Sequence, residues 1–220
     1  MKKNFISNLI IIILLGVVVI LAIKLSSSPS DNNEMKADAT TGATQKSANA
    51  VINNIMTRAS VRSYTDQKVN KSAIDTLLKA AMAAPTAVNK QPWRYVVVEK
   101  PEILQQLSQA TKGAYMAEKA PLAIVVCGDM SVALEGEAQA YWIQDCSAAT
   151  ENLLLAAHAI GLGAVWCGVA PIEANIAKVT EILKLPKGII PLNIVVIGHP
   201  DGPTEPKDKW HPDYVHYESW

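Results

Sequence analysis

Helices interleaved with buried strands, the pattern of an ordinary α/β sheet, are what roughly the last 170 residues of this chain predict. Two continuous apolar runs, Ala120 to Cys127 and Ile189 to Gly198, read as strands inside a sheet covered on both faces, the second despite its internal Pro191. Between them lies Tyr141 to Gly168, where from Ser147 to Ile160 only Ser147, Thr150, Glu151, Asn152 and His158 are polar. Nearly the whole circumference of that helix is apolar, so protein must cover it, in a core or at a dimer interface. Its alanines and Ser147 let a neighbouring backbone approach, and Gly161 and Gly163 end it by permitting positive φ. A β-prone run, Ala164 to Gly168, follows at once.

The remaining elements follow in chain order. Leu9 to Leu25 is apolar except for Lys24 and is preceded by Lys2 and Lys3, which predicts a single membrane anchor or a signal segment within residues 1–25. The anchor is preferred, because no small-x-small cleavage signature stands at its end. The two leading lysines place the N-terminus in the cytoplasm and the bulk of the chain outside it, against a bias from Lys24 and Lys36. Residues 26–50 are rich in Ser, Thr, Asn, Asp and Ala, lack aromatics, and predict a flexible polar linker. Residues 51–220 are of one-domain size. Within them a short helix covers Val51 to Arg58, with Val51, Ile52, Ile55 and Met56 apolar. A second helix spans Val69 to Ala84, with Ile74, Leu77, Leu78, Ala81 and Met82 on one face and Asn70 or Ser72 as N-cap, and Pro85 stops it. Pro85 to Trp93 (PTAVNKQPW) is a fixed loop feeding a strand from Arg94 to Glu99; Pro101 opens a helix to Ala110, and Ile172 to Leu185 is an amphipathic helix stopped by Pro186. The tail from His199 is polar yet carries Trp210, Tyr214, Tyr217 and Trp220, which predicts a segment held along a surface.

A formal charge of zero and a pI near 6.9 give no footprint for nucleic acid. Cys127, Cys146 and Cys167 each sit in an apolar run without the spacing of a zinc site, and read as buried free thiols. A nucleophile built from Cys146 or Cys167 with His158 would need an electropositive, partly exposed setting that these runs do not provide. His211, Asp213 and His216 lack a further ligand at metal spacing and read as tail residues. Arg58, Ser60 and Arg62 alternate, so on an extended chain two guanidinium groups would flank a hydroxyl on one side, a pattern suited to a phosphate dianion. The plainer reading is a solvated surface run, and the same choice stands for Lys207 and Lys209. Thr86, Asn89 and Gln91 would offer donors and acceptors to a planar heterocycle, or merely serve local turns.

Five stretches in order, Arg58 to Tyr64 (RASVRSY), Ala84 to Trp93 (APTAVNKQPW), Gly161 to Gly168 (GLGAVWCG), Lys207 to Lys209 (KDK) and Val215 to Trp220 (VHYESW), together resemble the nitroreductase family of FMN-dependent oxidoreductases. The resemblance covers about residues 51–220. It implies an α+β fold, with a mostly antiparallel sheet wrapped by helices, in a homodimer built on the long central helix with two FMN molecules at the interface. Carried over by motif, Arg58, Ser60 and Arg62 would hold the FMN phosphate and ribityl chain, with Lys207 and Lys209 closing on the phosphate. Pro85, Thr86 and Ala87 would cover the ring from the partner subunit, with Asn89 near its edge. Trp166, Cys167 and Gly168 would supply backbone, including an N–H directed at flavin N5. Thr86 and Ala87 stand where many members carry two serines, and Lys209 where many carry arginine, which keeps the charge but loses the bidentate fork. No side chain is then an obligatory catalyst and no metal is implied. The implied activity is two-electron transfer by a ping-pong mechanism, from NAD(P)H or another small-molecule donor to planar nitroaromatic or quinone acceptors. Ene reduction, dehalogenation, or a tethered interaction module that kept the fold without the flavin are the alternatives. An outward-facing domain would draw its electrons from a membrane quinol or an exported redox protein.

Overall fold

The structure, a computed structural model, describes residues 49–220. The apolar run read as an anchor, and all but the last residues of the polar linker, lie outside the described residues. One compact unit runs from Ile52 to Trp220. Among the described residues no helix is long and apolar enough to cross a membrane.

Helix α1 (49–57) is followed by α2 (Lys71–Met82), which starts where the Asn70 side-chain oxygen accepts the Ala73 amide at 2.8 Å, the N-cap expected of an Asx residue. Ile74, Leu77 and Ala81 form its buried stripe at helical spacing, while Met82 stays exposed. Next come β1 (Trp93–Val98), α3 (Pro101–Ser108), β2 (Leu122–Asp129), α4 (Tyr141–Ala159), β3 (Gly163–Gly168), α5 (Glu173–Leu183) and β4 (Ile189–Gly198). Short 3-10 turns fill the gaps, the longest at Lys112–Lys119.

The four strands form one sheet in the order β1-β2-β4-β3, and every pairing is antiparallel. The α/β expectation drawn from the strand pattern is therefore corrected, and the α+β architecture implied by the resemblance is what the chain adopts. The cause of the misreading is physical. Ile124, Val126, Val195 and Ile197 face a core closed by α2 and α4, whereas Val125, Cys127, Ile194 and Val196 face a second core closed by α3, α5 and the Lys112–Lys119 turn. Helices on both faces make successive strand residues apolar whether neighbours run parallel or antiparallel. Pro191 is tolerated in a central strand because the β2–β4 register shifts between Val126 and Cys127, a bulge where a ladder donor can be missing.

Two further expectations change, and the central helix shows its core side. Gly161 closes α4 with φ +78, but Gly163 belongs to β3 and serves close approach instead: an added Cβ would lie 2.7 Å from three carbons of Val61. The central helix is covered by its own chain on one side, at Trp142, Cys146, Ala149, Leu153 and Ala157, and leaves Tyr141 and Ile143 in the open. The aromatic tail is not held along this chain's surface. Residues 201–220 are exposed throughout, and among the described residues no hydrogen bond ties 202–220 to the body.

Candidate functional site

Past the end of α1 the chain straightens and lies against the free edge of β3. Ser60 bridges Ala164 in parallel sense, and the Val61 amide donates to the Ala164 carbonyl at 3.1 Å. Val61 points inward and is buried, so Ser60 and Arg62, its neighbours in an alternating strip, point outward and are exposed. Tyr64 locks the far end of the strip. Its hydroxyl lies 2.6 Å from the Val61 carbonyl and 3.0 Å from that of Val196, and burial pushes its pKa far above the ordinary phenol value. The Tyr64–Pro200 bridge and the Thr65 amide on the His199 carbonyl tie the strip to the exit of β4. Arg58 is partly buried and pairs with Glu151 of α4 at 3.4 Å, while Arg62 reaches only the Ser60 carbonyl at 3.5 Å. Arg62 thus has no acidic partner among the described residues, so its charge is available to an anion.

The second group lies on β3 itself. Cys167 is buried with its sulfur 3.9 Å from the Met116 sulfur, on the core side, and burial pushes its thiol up to about 11 against the opposing pull of Arg62. Cys146 and Cys127 are pushed up to about 12, chiefly by burial. All three thiols are free and inert at neutral pH, which sets aside the nucleophile reading. Gly168 is different: it is exposed, and an added Cβ would meet no atom within 4 Å, so its backbone fronts open space at the end of the strand. The cation strip and the Trp166, Cys167 and Gly168 backbone therefore lie along one edge of the sheet.

The third group, Pro85 to Gln91, is a loop of unusual backbone. Val88, Asn89 and Gln91 have φ of 51, 54 and 52°, left-handed values that cost non-glycine residues on the order of 1–3 kcal/mol each. Hydrogen bonds hold this shape. The Thr86 hydroxyl accepts the Gln91 amide at 3.0 Å, the Gln91 side-chain amide donates to Asn89 Oδ1 at 2.8 Å, and Arg94 Nη1 donates to the Gln91 carbonyl at 3.2 Å. Arg94 is itself fixed by an ion pair with Asp129 at 2.8 Å, whose carboxyl is held below its ordinary range by Ser131 and further by Arg94. One anchor was missed by the sequence reading. Asp145, a buried carboxylate on α4, accepts the Ala87 amide at 2.8 Å. A charged residue inside an apolar helix stretch was the available signal, since such a side chain is buried only when something pairs with it.

Asp145 and Glu151 lie six residues apart on α4, about 9 Å along the axis and roughly 120° around it. Hence the loop and the arginine strip attach to different faces of the central helix. Lys207 and Lys209 stand on the exposed tail, which among the described residues makes no hydrogen bond to the body beyond Asp201, so this chain alone does not bring them to Arg58 and Arg62. No His, Cys, Asp and Glu cluster among the described residues could hold a metal.

Comparison with known proteins identifies the fold and the family. A protein of Archaeoglobus fulgidus, provisionally named an NADH dehydrogenase/NAD(P)H nitroreductase, is 42% identical over 169 residues, covering 76% of this chain and 96% of its own. The crystal structure of a similarly named protein from Parabacteroides distasonis superposes with a TM-score of 0.74 at 39% identity, over 77% of this chain and 98% of that one. An FMN-dependent nitroreductase from Clostridium difficile superposes at 0.71 with 30% identity, over 77% and 99% of the two chains. Residues 55–199 match the profile of the Nitroreductase family, and the chain belongs to that family.

Proposed function

We infer that this chain is an FMN-dependent oxidoreductase that passes two electrons from NAD(P)H or another donor to planar acceptors such as quinones and nitroaromatics, by a ping-pong mechanism. The observation that carries this reading is the arginine strip lying beside β3, with open space in front of Gly168. Guanidinium groups pair with a phosphate through two hydrogen bonds, and a ring placed against a strand edge is favoured by a position without a side chain. The residues present fit the group. Arg58, Ser60 and Arg62 would take its phosphate and ribityl chain, and the backbone of Trp166, Cys167 and Gly168 would lie along its ring. When bound, FMN supplies the two-electron chemistry.

The protein's own contribution is position and charge. Arg62, lacking an acidic partner, offers a cation near Cys167 to negative charge that develops on the ligand. Pro85, Thr86, Ala87 and Asn89 attach to another face of α4, so they would complete the site of a second copy. That arrangement asks for a homodimer. Ile52, Ile55 and Met56 of α1, Tyr141 and Ile143 of α4, and the aromatic tail are the apolar surface such a copy would cover. Lys207 and Lys209 would reach the phosphate with the tail.

Purification of the full-length chain tests this. The expected product is a yellow dimer that releases FMN on denaturation and oxidises NADH or NADPH with menadione as acceptor. A colourless monomer that ignores added FMN would sink cofactor and activity together. The apolar run in residues 1–25 extends the proposal to a membrane anchor with the domain facing out of the cytoplasm, and to a quinol or exported redox protein as donor. Protease added to intact spheroplasts should then digest the domain; resistance until lysis overturns the outward orientation.

A further inference from the structure

The Pro85–Gln91 loop holds three non-glycine residues in left-handed backbone, and a strained loop keeps one shape only where its surroundings over-determine it. Most of its bonds are local. Thr86 to Gln91 and Asn89 to Gln91 join residues no more than five apart and set the shape of the loop, while Arg94, held by Asp129, ties its C-terminal end to β1 and the end of β2. The Asp145 to Ala87 bond spans 58 residues and runs from the central helix to the loop's first turn. Asp145 is 7% exposed and Ala87 half-buried, so the bond is partly sheltered from water, and its carboxylate acceptor strengthens it over a neutral pair.

We propose that Asp145 is a positioning residue for the acceptor pocket: by holding the Ala87 N–H it sets where Thr86, Ala87 and Asn89 stand over the flavin, without touching flavin or substrate. This rests on the functional reading above. Two substitutions remove the bond from opposite ends. Asp145→Leu deletes the acceptor. Ala87→Pro deletes the donor and suits the backbone, since Ala87 is the first residue of a 3-10 turn and Thr86, at φ −134 and ψ 155, already has the extended shape that a following proline requires. Asp145→Asn keeps an acceptor oxygen and is the partial rescue.

Lys90, exposed at the end of the turn, gives a readout independent of catalysis. Trypsin cuts it only when the loop opens, at a rate that follows the open population. In the full-length chain, Asp145→Leu and Ala87→Pro should each speed cleavage after Lys90 about tenfold, the effect of losing one charge-assisted hydrogen bond. Both should raise the menadione KM, the double variant should be no worse than either single, and Asp145→Asn should lie between the parent and Asp145→Leu. Parent-like cleavage and KM in both single variants overturn the proposal. So does a uniform rise in cleavage at every site of the body, which marks general destabilisation. Should Asp145→Leu not fold, Ala87→Pro reads the same bond with Asp145 intact. A parent protein that binds no FMN overturns the functional reading instead, and is recognised before any variant is made.

Discussion

Cys167 sits where a sequence reader looks for a nucleophile, between a tryptophan and a glycine at the end of a strand. Its sulfur faces Met116 and the core, so the feature that β3 presents outward is the backbone. Because burial raises all three thiols to about 11 or 12, they remain protonated at any pH below that range. Iodoacetamide at pH 8 should therefore label none of them in the native chain and all of them in denaturant, as read by intact mass. Native labelling at Cys167 would revive a thiol role. Among the cations the balance differs. Arg58 is partly buried and paired through Nε with Glu151, whereas Lys207 stands on an exposed tail, and only a guanidinium pairs bidentately with phosphate. Arg58→Ala should weaken FMN binding roughly tenfold or more, and Lys207→Ala by less, in a fluorescence titration of the apoprotein. Equal dissociation constants would remove the distinction between the two roles.

At the scale of elements, the site depends on how closely the Arg58–Arg62 strip approaches β3, and one missing side chain sets that distance. A Cβ on Gly163 would lie 2.7 Å from Val61, so Gly163→Ala must push the strip off the strand edge. Overpacking of this kind costs about 1–3 kcal/mol, a fall of several degrees in the thermal midpoint, and it should carry weakened FMN binding with it. Val61→Gly in the same chain, which removes all three of those carbons, should restore FMN binding, and failure to do so would place the damage elsewhere. The sequence shows only part of this. Helix stripes and the Asn70 cap are local and were legible, as was the alternation of Arg58, Ser60 and Arg62. Gly163 looked like a helix terminator because one glycine pattern serves both uses. Strand direction was not legible, since helices on both faces erase the alternation that marks an antiparallel sheet. Asp145 went unread because its partner, the Ala87 amide, is a backbone group 58 residues away and leaves no mark in the sequence.

At the scale of the whole molecule, the described residues leave apolar surface uncovered. The family profile ends at residue 199, and beyond it the tail exposes Trp210 at 69%, Tyr214 at 77%, Tyr217 at 83% and Trp220 at 99%. Four aromatic side chains can bury about 600–1,000 Å² in all, close to one partner's share of a standard protein interface. A chain this well packed elsewhere does not leave such surface to water without a use, and α1 and α4 leave apolar faces uncovered as well. A second copy of the chain, as the proposed function asks for, is the occupant that would account for all three surfaces together. Removing residues 203–220 deletes no buried side chain, so the shortened chain should fold and keep its cooperative thermal transition. It should nevertheless dissociate to monomers at micromolar concentration and lose FMN, because the clasp and both tail lysines go together. Light scattering reads the first and flavin fluorescence the second. A truncated chain that remains a yellow dimer would show that α1 and α4 alone hold the copies together, and that Lys207 and Lys209 play no part at the phosphate.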